Sequence, residues 1–222
     1  MEINIIKTGS RGNASVLTDA VGNQLLIDAG LKYEQIAKHI TDFSKLTVLC
    51  THDHGDHALS LKKFTDLGLK VISPQTEQSS SLIPLGAWTI LPIAVPHSTA
   101  LCYAYLIRNN IEGKNIFWAT DLTELPRIKD GNFDLFAIEC NYDEDIATEA
   151  TLKGSVESRG YMNHLSANKL LWWLQSRRQK PKNLCLIHLS NSGLIDRDEL
   201  PALFRDQCKR LYIGQKNTVF RI

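Results

Sequence analysis

Three histidines and two aspartates fall within residues 52–57, whose sequence is HDHGDH. Imidazole nitrogens and carboxylate oxygens are side-chain ligands that divalent metals such as zinc take in proteins. The apolar run 46–50 lies just ahead of this segment and predicts a buried strand. The pattern therefore predicts a metal site at a strand end, against the alternative of a polar loop in which the histidines occur by coincidence.

The spacing within this segment predicts how the side chains would be divided between two ions. His52 and His54 are two positions apart, so an extended backbone points both to one side, where they can bind one ion together. Gly55 would then permit a sharp turn. We expect that turn to direct Asp56 and His57 towards a second ion on the far side.

Other candidate ligands stand at or near the ends of predicted strands along the chain. Six of the seven histidines fall in or beside such loops, and several acidic residues do the same. The further candidates are Asp28, His97, Asp121, Glu139, His164 and His188. A sheet-based scaffold could bring these loops to one rim. Asp28 by itself could be an ordinary turn residue, but beside a histidine cluster we expect it to accept a hydrogen bond from a metal-bound imidazole.

The number of candidates suits a site with two metal ions. Such a site needs roughly three protein ligands for each ion, plus a carboxylate and a hydroxide shared between ions about 3.5–4 Å apart. The predicted set is His52, His54 and His97 for one ion, Asp56, His57 and His188 for the other, and Asp121 between them. Imidazole-rich sites without cysteine suit zinc best, and the carboxylates on the second ion leave manganese or iron open.

Apolar patterns and turn residues predict the elements that must position these side chains. Strands are expected at 2–7, 14–18, 24–28, 46–50, 70–73, 88–95, 102–108, 115–120, 133–140, 183–187, 210–214 and 218–222. Helices are expected at 32–40, 58–67, from about 143, from 167 behind an N-cap at Ser166, and at 197–208, with a loop at 152–162. The order of strand, helix and strand over 46–73 predicts a parallel pair.

The composition limits the class of protein. The 222 residues suit one domain, 1–222, with a sizeable core. Lys and Arg total 25 against 24 Asp and Glu, so no broad basic face is expected and a polyanionic substrate must be held locally. The scattered cysteines are typical of small buried hydrophobes in a reducing compartment. With no targeting pattern and no apolar run of membrane-spanning length, we expect a cytoplasmic protein with no membrane partner.

The order of these residues resembles the metallo-β-lactamase-fold hydrolase superfamily over nearly the whole chain. The resemblance is carried by HDHGDH at 52–57, by His97, Asp121 and His188 after it, and by Asp28 ahead of it. It implies an α/β (α+β) fold, a four-layer αββα sandwich of two mixed sheets packed face to face, with the metal site at one edge of the two sheets. True lactamases usually carry a cysteine where Asp121 stands, which argues against antibiotic hydrolysis.

Further segments are similar to the phosphodiesterase and nuclease branch of that superfamily, which includes ribonuclease Z. They are IECNY at 138–142, HLS at 164–166 and LIHLS at 186–190. The short, exonuclease-like members of the YycJ type are more similar still, through the repeated HLS and the glycine-rich loop GSRGN at 9–13. The resemblance implies a metal-dependent hydrolase for a phosphodiester bond in nucleic acid, acting as an exonuclease, or in a small or cyclic nucleotide.

The same resemblance implies roles for three residues. In that branch a hydroxide bridging the two ions attacks phosphorus, since metal binding lowers the pKa of water to about 7. Asp56 would orient or deprotonate this nucleophile. His164, oriented by Glu139, would hold the scissile phosphate and protonate the leaving oxygen. General acid catalysis of this kind is worth about 10² to 10⁴ in rate. The alternative for His164 is a purely structural hydrogen bond at a helix N-terminus.

Several functions stay open on the sequence alone. Only residues 58–96 separate the first histidine cluster from His97, so the long tRNA-gripping insertion of ribonuclease Z looks absent. An exonuclease and a phosphodiesterase for small or cyclic nucleotides are both left. A thioester or lactone hydrolase would use the same ions but should tolerate loss of His164, and a non-catalytic metal-binding module is a further alternative. Subunits could complete each other's pockets in a homodimer, which would give Trp172 and Trp173 a role.

Overall fold

A computed structural model of the chain describes residues 1–98, 101–155 and 161–222. Its strands are β1 (Glu2–Lys7), β2 (Ala14–Thr18), β3 (Gln24–Ile27), β4 (Leu46–Leu49), β5 (Val71–Ile72), β6 (Ile83–Leu85), β7 (Trp88–Val95), β8 (Cys102–Asn109), β9 (Asn115–Ala119), β10 (Leu135–Glu139), β11 (Asn183–Ile187), β12 (Arg210–Ile213) and β13 (Thr218–Arg221). Its helices are α1 (Tyr33–Ala37), α2 (Gly55–Ala58), α3 (Leu61–Asp66), α4 (Glu144–Leu152), α5 (Ala167–Gln175) and α6 (Leu200–Leu203), with 3₁₀ turns at Phe43–Lys45 and Arg205–Gln207. Among these described helices, none has the length and apolar character needed to cross a membrane.

The described strands form two mixed sheets. The first has the order β13-β1-β2-β3-β4-β5 and is antiparallel up to β3 and parallel from β3 to β5. The second has the order β12-β11-β10-β9-β8-β7-β6 and is parallel from β12 to β9 and antiparallel from there to β6. The predicted parallel pairing of β4 and β5 is confirmed.

The period-two alternation of the strands sorts apolar side chains into layers. In β3, Leu25 and Ile27 belong to the cluster between the two sheets, whereas Leu26 belongs to the cluster on the outer side. Phe64 of α3 packs into that outer cluster, and Leu170 of α5 packs on the outer side of the second sheet. Burying each such side chain contributes about 1.5–3 kcal/mol. The result is a four-layer αββα arrangement, as the resemblance implied.

Strands of both sheets deliver the candidate ligands to one edge. Asp28 follows β3 and residues 50–57 follow β4, and these two strands are parallel neighbours. Asp121 follows β9 and His188 follows β11, which share a direction through β10. Two antiparallel pairings separate β7 from β9, so β7 runs the same way and His97, just after it, is brought to the same edge.

The helices are shorter than the apolar pattern predicted. The helix expected at 58–67 is two pieces, α2 and α3, and α2 begins at Gly55 inside the histidine-rich segment. The helix expected at 197–208 reduces to α6 and a 3₁₀ turn. Apolar spacing marks a buried face, whereas tertiary packing decides where helical backbone stops. Strand β6 was not predicted. Part of the loop predicted at 152–162, residues 156–160, lies outside the described residues.

Helix α5 buries one of its two tryptophans. The Trp173 ring centroid lies 5.8 Å from that of Phe117 and 5.6 Å from that of Phe136. Trp172 is 72% exposed, because successive helical residues point in different directions at 3.6 residues per turn. The homodimer stays a prediction, and Trp172 is the aromatic side chain of α5 that an interface could use.

Candidate metal centre

Three of the predicted ligands form a compact histidine cluster. The ring centroid of His52 lies 4.5 Å from that of His54 and 5.0 Å from that of His97. One nitrogen of each ring falls within 4.8 Å of a nitrogen of both other rings. The extended backbone at His54 (φ −61°, ψ 146°) is the conformation that the two-residue spacing required. This group has the composition and spacing to hold one metal ion.

A second cluster lies beside the first and joins Asp56, His57 and His188, again with ligand atoms within 4.8 Å. Asp121 lies next to it, with its Oδ2 2.5 Å from Nε2 of His57 and its Oδ1 3.4 Å from Nε2 of His188. Asp121 also groups with His52 of the first cluster. The structure therefore brings all the predicted metal ligands together and places Asp121 between the two sets. That they bind metal stays a prediction.

Helix α2 turns the chain between the two clusters. We expected Gly55 to do this through its conformational freedom, and that cause was wrong. Gly55 is the first residue of α2, and its φ lies outside the left-handed region that favours glycine. The change from extended backbone at His54 to helix turns Asp56 and His57 away from the direction of His52 and His54.

Several imidazoles are anchored through Nδ1, and Nε2 of His57 contacts Asn13 and Asp121. The bonds are His57 Nδ1 to Asp28 Oδ2 (2.8 Å), His97 Nδ1 to the carbonyl oxygen of Asn163 (3.1 Å) and His188 Nδ1 to Glu139 Oε1 (2.9 Å). Such bonds fix the tautomer and orientation of metal-binding histidines. Asp28 has the position that the sequence predicted for it.

Two ring nitrogens show that the residues fit metal ions. Nε2 of His52 and Nε2 of His188 are buried and have no hydrogen-bond partner in the part of the chain that the structure describes. A buried polar atom without a partner costs about 1–3 kcal/mol. His52 belongs to the first histidine cluster and His188 to the second. A divalent ion in each group would satisfy both nitrogens, and the imidazole and carboxylate donors suit zinc, with manganese or iron as alternatives.

Three of the site residues have left-handed backbone. The φ angles are 62° at Asp28, 52° at Asp121 and 53° at His188. Non-glycine residues rarely adopt this conformation, which costs about 1–3 kcal/mol and persists where the surroundings enforce it. At Asp28 the amide and hydroxyl of Thr51 both donate to Oδ1, at 2.8 and 2.9 Å. At His188 the amide donates to Oγ1 of Thr8. Strain of this kind concentrates at functional sites.

The fold is shared with solved structures, although no protein-family model and no curated protein matches the sequence. Three matches are YhfI from Bacillus subtilis, described as a metallo-β-lactamase fold protein (17% identity, TM-score 0.69, 99% of this chain and 98% of that one), Zn(2+)-bound PqqB from Methylobacterium extorquens (11%, 0.70, 100% of both chains) and the short form of human tRNase Z (14%, 0.64, 100% and 99%). The chain has the metallo-β-lactamase fold. The fold implied by the sequence resemblance is thereby confirmed.

On this metallo-β-lactamase fold, Glu139 holds two imidazoles at once. Its Oε1 lies 2.7 Å from Nδ1 of His164 and 2.9 Å from Nδ1 of His188, and its Oε2 accepts from two backbone amides. Glu139 could also be counted as a ligand, because one of its oxygens groups with Asp121, His164 and His188. We assign it the orienting role because both of its oxygens are already occupied by hydrogen bonds. The sequence predicted that Glu139 orients His164 and missed its bond to His188.

The carboxylates of the site favour positive charge at its centre. Burial lowers the pKa of His52 to about 2, so this ring is in the neutral form that binds metal. Burial opposes charge on His57, but the carboxylates of Asp28 and Asp121 hold its pKa well above the ordinary value. Burial likewise opposes ionisation of Asp121, but His188 and His57 hold its pKa well below the usual range. Bound divalent cations would supply the charge that this arrangement attracts.

His164, which is not one of the predicted ligands, is held by two carboxylates. Burial disfavours its charged form, but hydrogen bonds to Asp121 and Glu139 raise its pKa to about 10. Its Nδ1 is 3.1 Å from Oδ1 of Asp121 in addition to the bond to Glu139. The remaining nitrogen, Nε2, is the one that can donate to a molecule in the cavity.

The clusters border a cavity of about 210 Å³. Ser10, Ser98, Asn163 and His164 line it together with all the predicted ligands except His57. A larger cavity, of about 770 Å³, lies along the outer face of β7 to β9 and is mainly apolar. We place the functional site by its chemistry, since only the smaller cavity contains the buried carboxylates and imidazoles.

Asn13 is a residue of the site that sequence reasoning missed. Its Nδ2 is 2.8 Å from Nε2 of His57 and 3.5 Å from Oδ2 of Asp56, and its backbone amide donates to the carbonyl of Asp56 at 2.7 Å. Its Oδ1 accepts from the amide of Gly9, which closes the loop 9–13. The glycine-rich loop 9–13 could have pointed to Asn13, because its sequence contributed to the family resemblance. The sequence assigned no role to Asn13, its last residue.

Proposed function

We propose that this protein is a dinuclear metal-dependent phosphodiesterase that hydrolyses a phosphodiester bond in a nucleic acid or a nucleotide. The observation that carries the proposal is the position of His164, which is not needed as a ligand, is held by Glu139 and lines the same cavity as the predicted metal ligands. A lactone or thioester hydrolase would need the ions but has no evident use for this histidine. The shared fold with human tRNase Z supports the same class.

Two groups of side chains would hold the ions. They are His52, His54 and His97 for one ion, Asp56, His57 and His188 for the other, and Asp121 for both. When bound, such ions polarise phosphoryl oxygens and lower the pKa of water to about 7, which makes hydroxide available at neutral pH. Asp28 and Glu139 keep the rings of His57 and His188 oriented.

The remaining side chains act on the substrate and on the proton. The carboxylate of Asp56 lines the cavity and can orient or deprotonate the attacking water. Nε2 of His164 can hold a phosphoryl oxygen and protonate the leaving oxygen while Nδ1 stays on Glu139. General acid help of this kind is worth about 10² to 10⁴ in rate.

The His164→Ala variant tests the proposed function. We expect its rate on a dinucleotide, whose leaving group is an alkoxide, to fall by about 10² to 10⁴. The loss should be smaller on bis-p-nitrophenyl phosphate, because its phenolate leaves without strong acid help. Hydrolysis of a thioester, if the enzyme has that activity, should be little affected, because a thiolate leaves without strong acid help. Unchanged rates on both phosphodiesters would rule out the acid role of His164.

A further inference from the structure

A basic pocket of about 250 Å³ lies beside the metal cavity. Three loops form it, at residues 7–11 after β1, 189–197 after β11 and 214–216 after β12. Among the described residues, its lining includes four cationic side chains and no carboxylate; the cations are Lys7, Arg11, Arg197 and Lys216. The formal charge of the whole chain is only +1. The pocket is therefore a local concentration of positive charge on a nearly neutral protein.

Backbone contacts hold the three loops together. The amide of Gly214 donates to the carbonyl of Leu186 at 2.7 Å, and a Cβ at Gly214 would lie 2.9 Å from that oxygen. The amide of Asn217 donates to the carbonyl of Ile6. The amide of His188 donates to Oγ1 of Thr8 at 2.9 Å. The cations are thus carried on loops that are fixed to the ends of the central strands.

Within the described residues, none of these four cations forms an ion pair. Lys7 donates to the carbonyl of Arg11, and Arg197 donates to the carbonyl of Ser190 and to Oδ1 of Asn191, so their contacts are with neutral oxygens. Asp196 precedes Arg197 in the chain but lines a different cavity, next to α6. The positive charge of the pocket is accordingly left for a ligand.

The basic pocket and the metal cavity adjoin at two points of the chain. Ser10 and His188 line the metal cavity, whereas the next residues, Arg11 and Leu189, line the basic pocket. Consecutive Cα atoms are about 3.8 Å apart. An anionic group in the basic pocket would therefore lie next to a group bound in the metal cavity.

We propose that the basic pocket binds a phosphate group that neighbours the scissile phosphodiester. Arginine and lysine are the side chains that recognise phosphate in proteins. This inference rests on the proposed function and narrows its substrate: a chain with at least two phosphates, such as an oligonucleotide or a phosphorylated dinucleotide, uses both sites. A cyclic mononucleotide has one phosphate and leaves the basic pocket empty.

The test compares TpT with short thymidylates that carry one phosphate more. The substrates are TpT, pTpT, TpTp and TpTpT, where the second and third carry a terminal phosphate on either side and the last adds a backbone phosphodiester. For the wild type we expect kcat/KM on at least one of the three extended substrates to exceed that on TpT by about tenfold or more. The substrate with the largest gain identifies whether a terminal or an internal phosphate is bound.

In the double variant Arg11→Gln, Lys216→Gln, the ratio of kcat/KM on the preferred extended substrate to kcat/KM on TpT should be close to one. The control Lys38→Gln, Lys45→Gln removes the same charge elsewhere and should keep the ratio of the wild type. A binding measurement does not depend on turnover. By fluorescence anisotropy, metal-free wild type should bind at least one of the three extended substrates, each labelled with a fluorophore, about tenfold more tightly than the double variant does.

Two results would refute phosphate binding by the basic pocket while leaving the proposed phosphodiesterase function intact. They are equal kcat/KM of the wild type on all four substrates, and a double variant with the same ratio as the wild type. A wild type that hydrolyses no phosphodiester with any metal would overturn the proposed function instead. The anisotropy comparison then decides the pocket by itself: equal binding by wild type and double variant refutes it.

Discussion

At the scale of single atoms, the two nitrogens of each imidazole divide the work of the site. In His57, His97 and His188 the Nδ1 atom is bonded to a protein oxygen, and Nε2 of His188 is left without a partner among the described residues. Glu139 serves His188, a predicted ligand, and His164, a predicted acid, through the same oxygen. The loss of Glu139 should therefore affect both metal binding and chemistry, whereas the loss of His164 should affect chemistry alone.

The Glu139→Gln variant tests this division. Its amide cannot accept all the bonds that the carboxylate accepts, so we expect metal affinity to fall by about 10- to 100-fold, the range typical of such outer partners. Activity should fall as well. His164→Ala should keep its metal while losing activity, so it is the matched control. Titration of metal into metal-free protein measures both. Equal metal affinity in the two variants would mean that Glu139 does not hold His188 in place.

Asn13 offers a second test at this scale. The Asn13→Ala variant removes the amide that contacts His57 and Asp56. We expect weaker binding of one metal ion, by about 10- to 100-fold, with the other ion little changed. The control is Asn110→Ala, which removes an exposed asparagine that bonds the carbonyl of Gly86. Titration in which both ions bind Asn13→Ala as tightly as the wild type would leave Asn13 a purely structural role.

At the scale of elements, the start of α2 depends on a glycine other than the one that the sequence singled out. A Cβ at Gly30 would lie 1.6 Å from the carbonyl oxygen of Asp56 and 2.8 Å from the amide nitrogen of His57. The peptide between these two predicted ligands therefore packs directly on Gly30. A Cβ at Gly55 would meet nothing within 4 Å. The position of the second cluster is thus set by contact with the loop after β3.

The variants Gly30→Ala and Gly55→Ala separate these two glycines. Gly30→Ala should displace the Asp56 peptide and destabilise the fold by about 1–3 kcal/mol or more, as overpacking does. Gly55→Ala should be neutral or stabilising by about 0.4–1 kcal/mol. Urea unfolding of the metal-free proteins measures both changes. Similar midpoints for Gly30→Ala and Gly55→Ala would show that the loop after β3 can yield to a methyl group.

Some elements of the fold and the site could be predicted from the sequence, and others could not. Strands bounded by turns and followed by histidine or aspartate were found, because period-two burial and metal-ligand chemistry both leave a pattern in the sequence. The ends of α2, α3 and α6 were not found, since these helices stop where packing stops them, whereas the start of α5 behind its N-cap Ser166 was found. The contacts of Asn13 and the second bond of Glu139 join distant segments, since Asn13 and His57 are 44 positions apart and Glu139 and His188 are 49 positions apart. No local pattern encodes such contacts.

At the scale of the whole molecule, the two sheets meet at one edge, and each sheet supplies a different part of the ligand set. The first sheet supplies the loop after β4, with its HDHGDH segment, and the second supplies His97, Asp121 and His188. Neither sheet alone carries either complete set, because His97 completes the first histidine cluster and His188 the second. Metal binding should therefore hold the two sheets together at this edge, and hydrolysis should depend on both ions being present.

Elemental analysis of purified, metal-loaded protein tests that dependence most directly. We predict two divalent ions per chain in the active wild type, zinc first and manganese or iron as alternatives. His97→Ala and His188→Ala should each lower the content towards one ion and abolish hydrolysis of phosphodiesters. Fully active protein with fewer than two ions per chain would contradict the account.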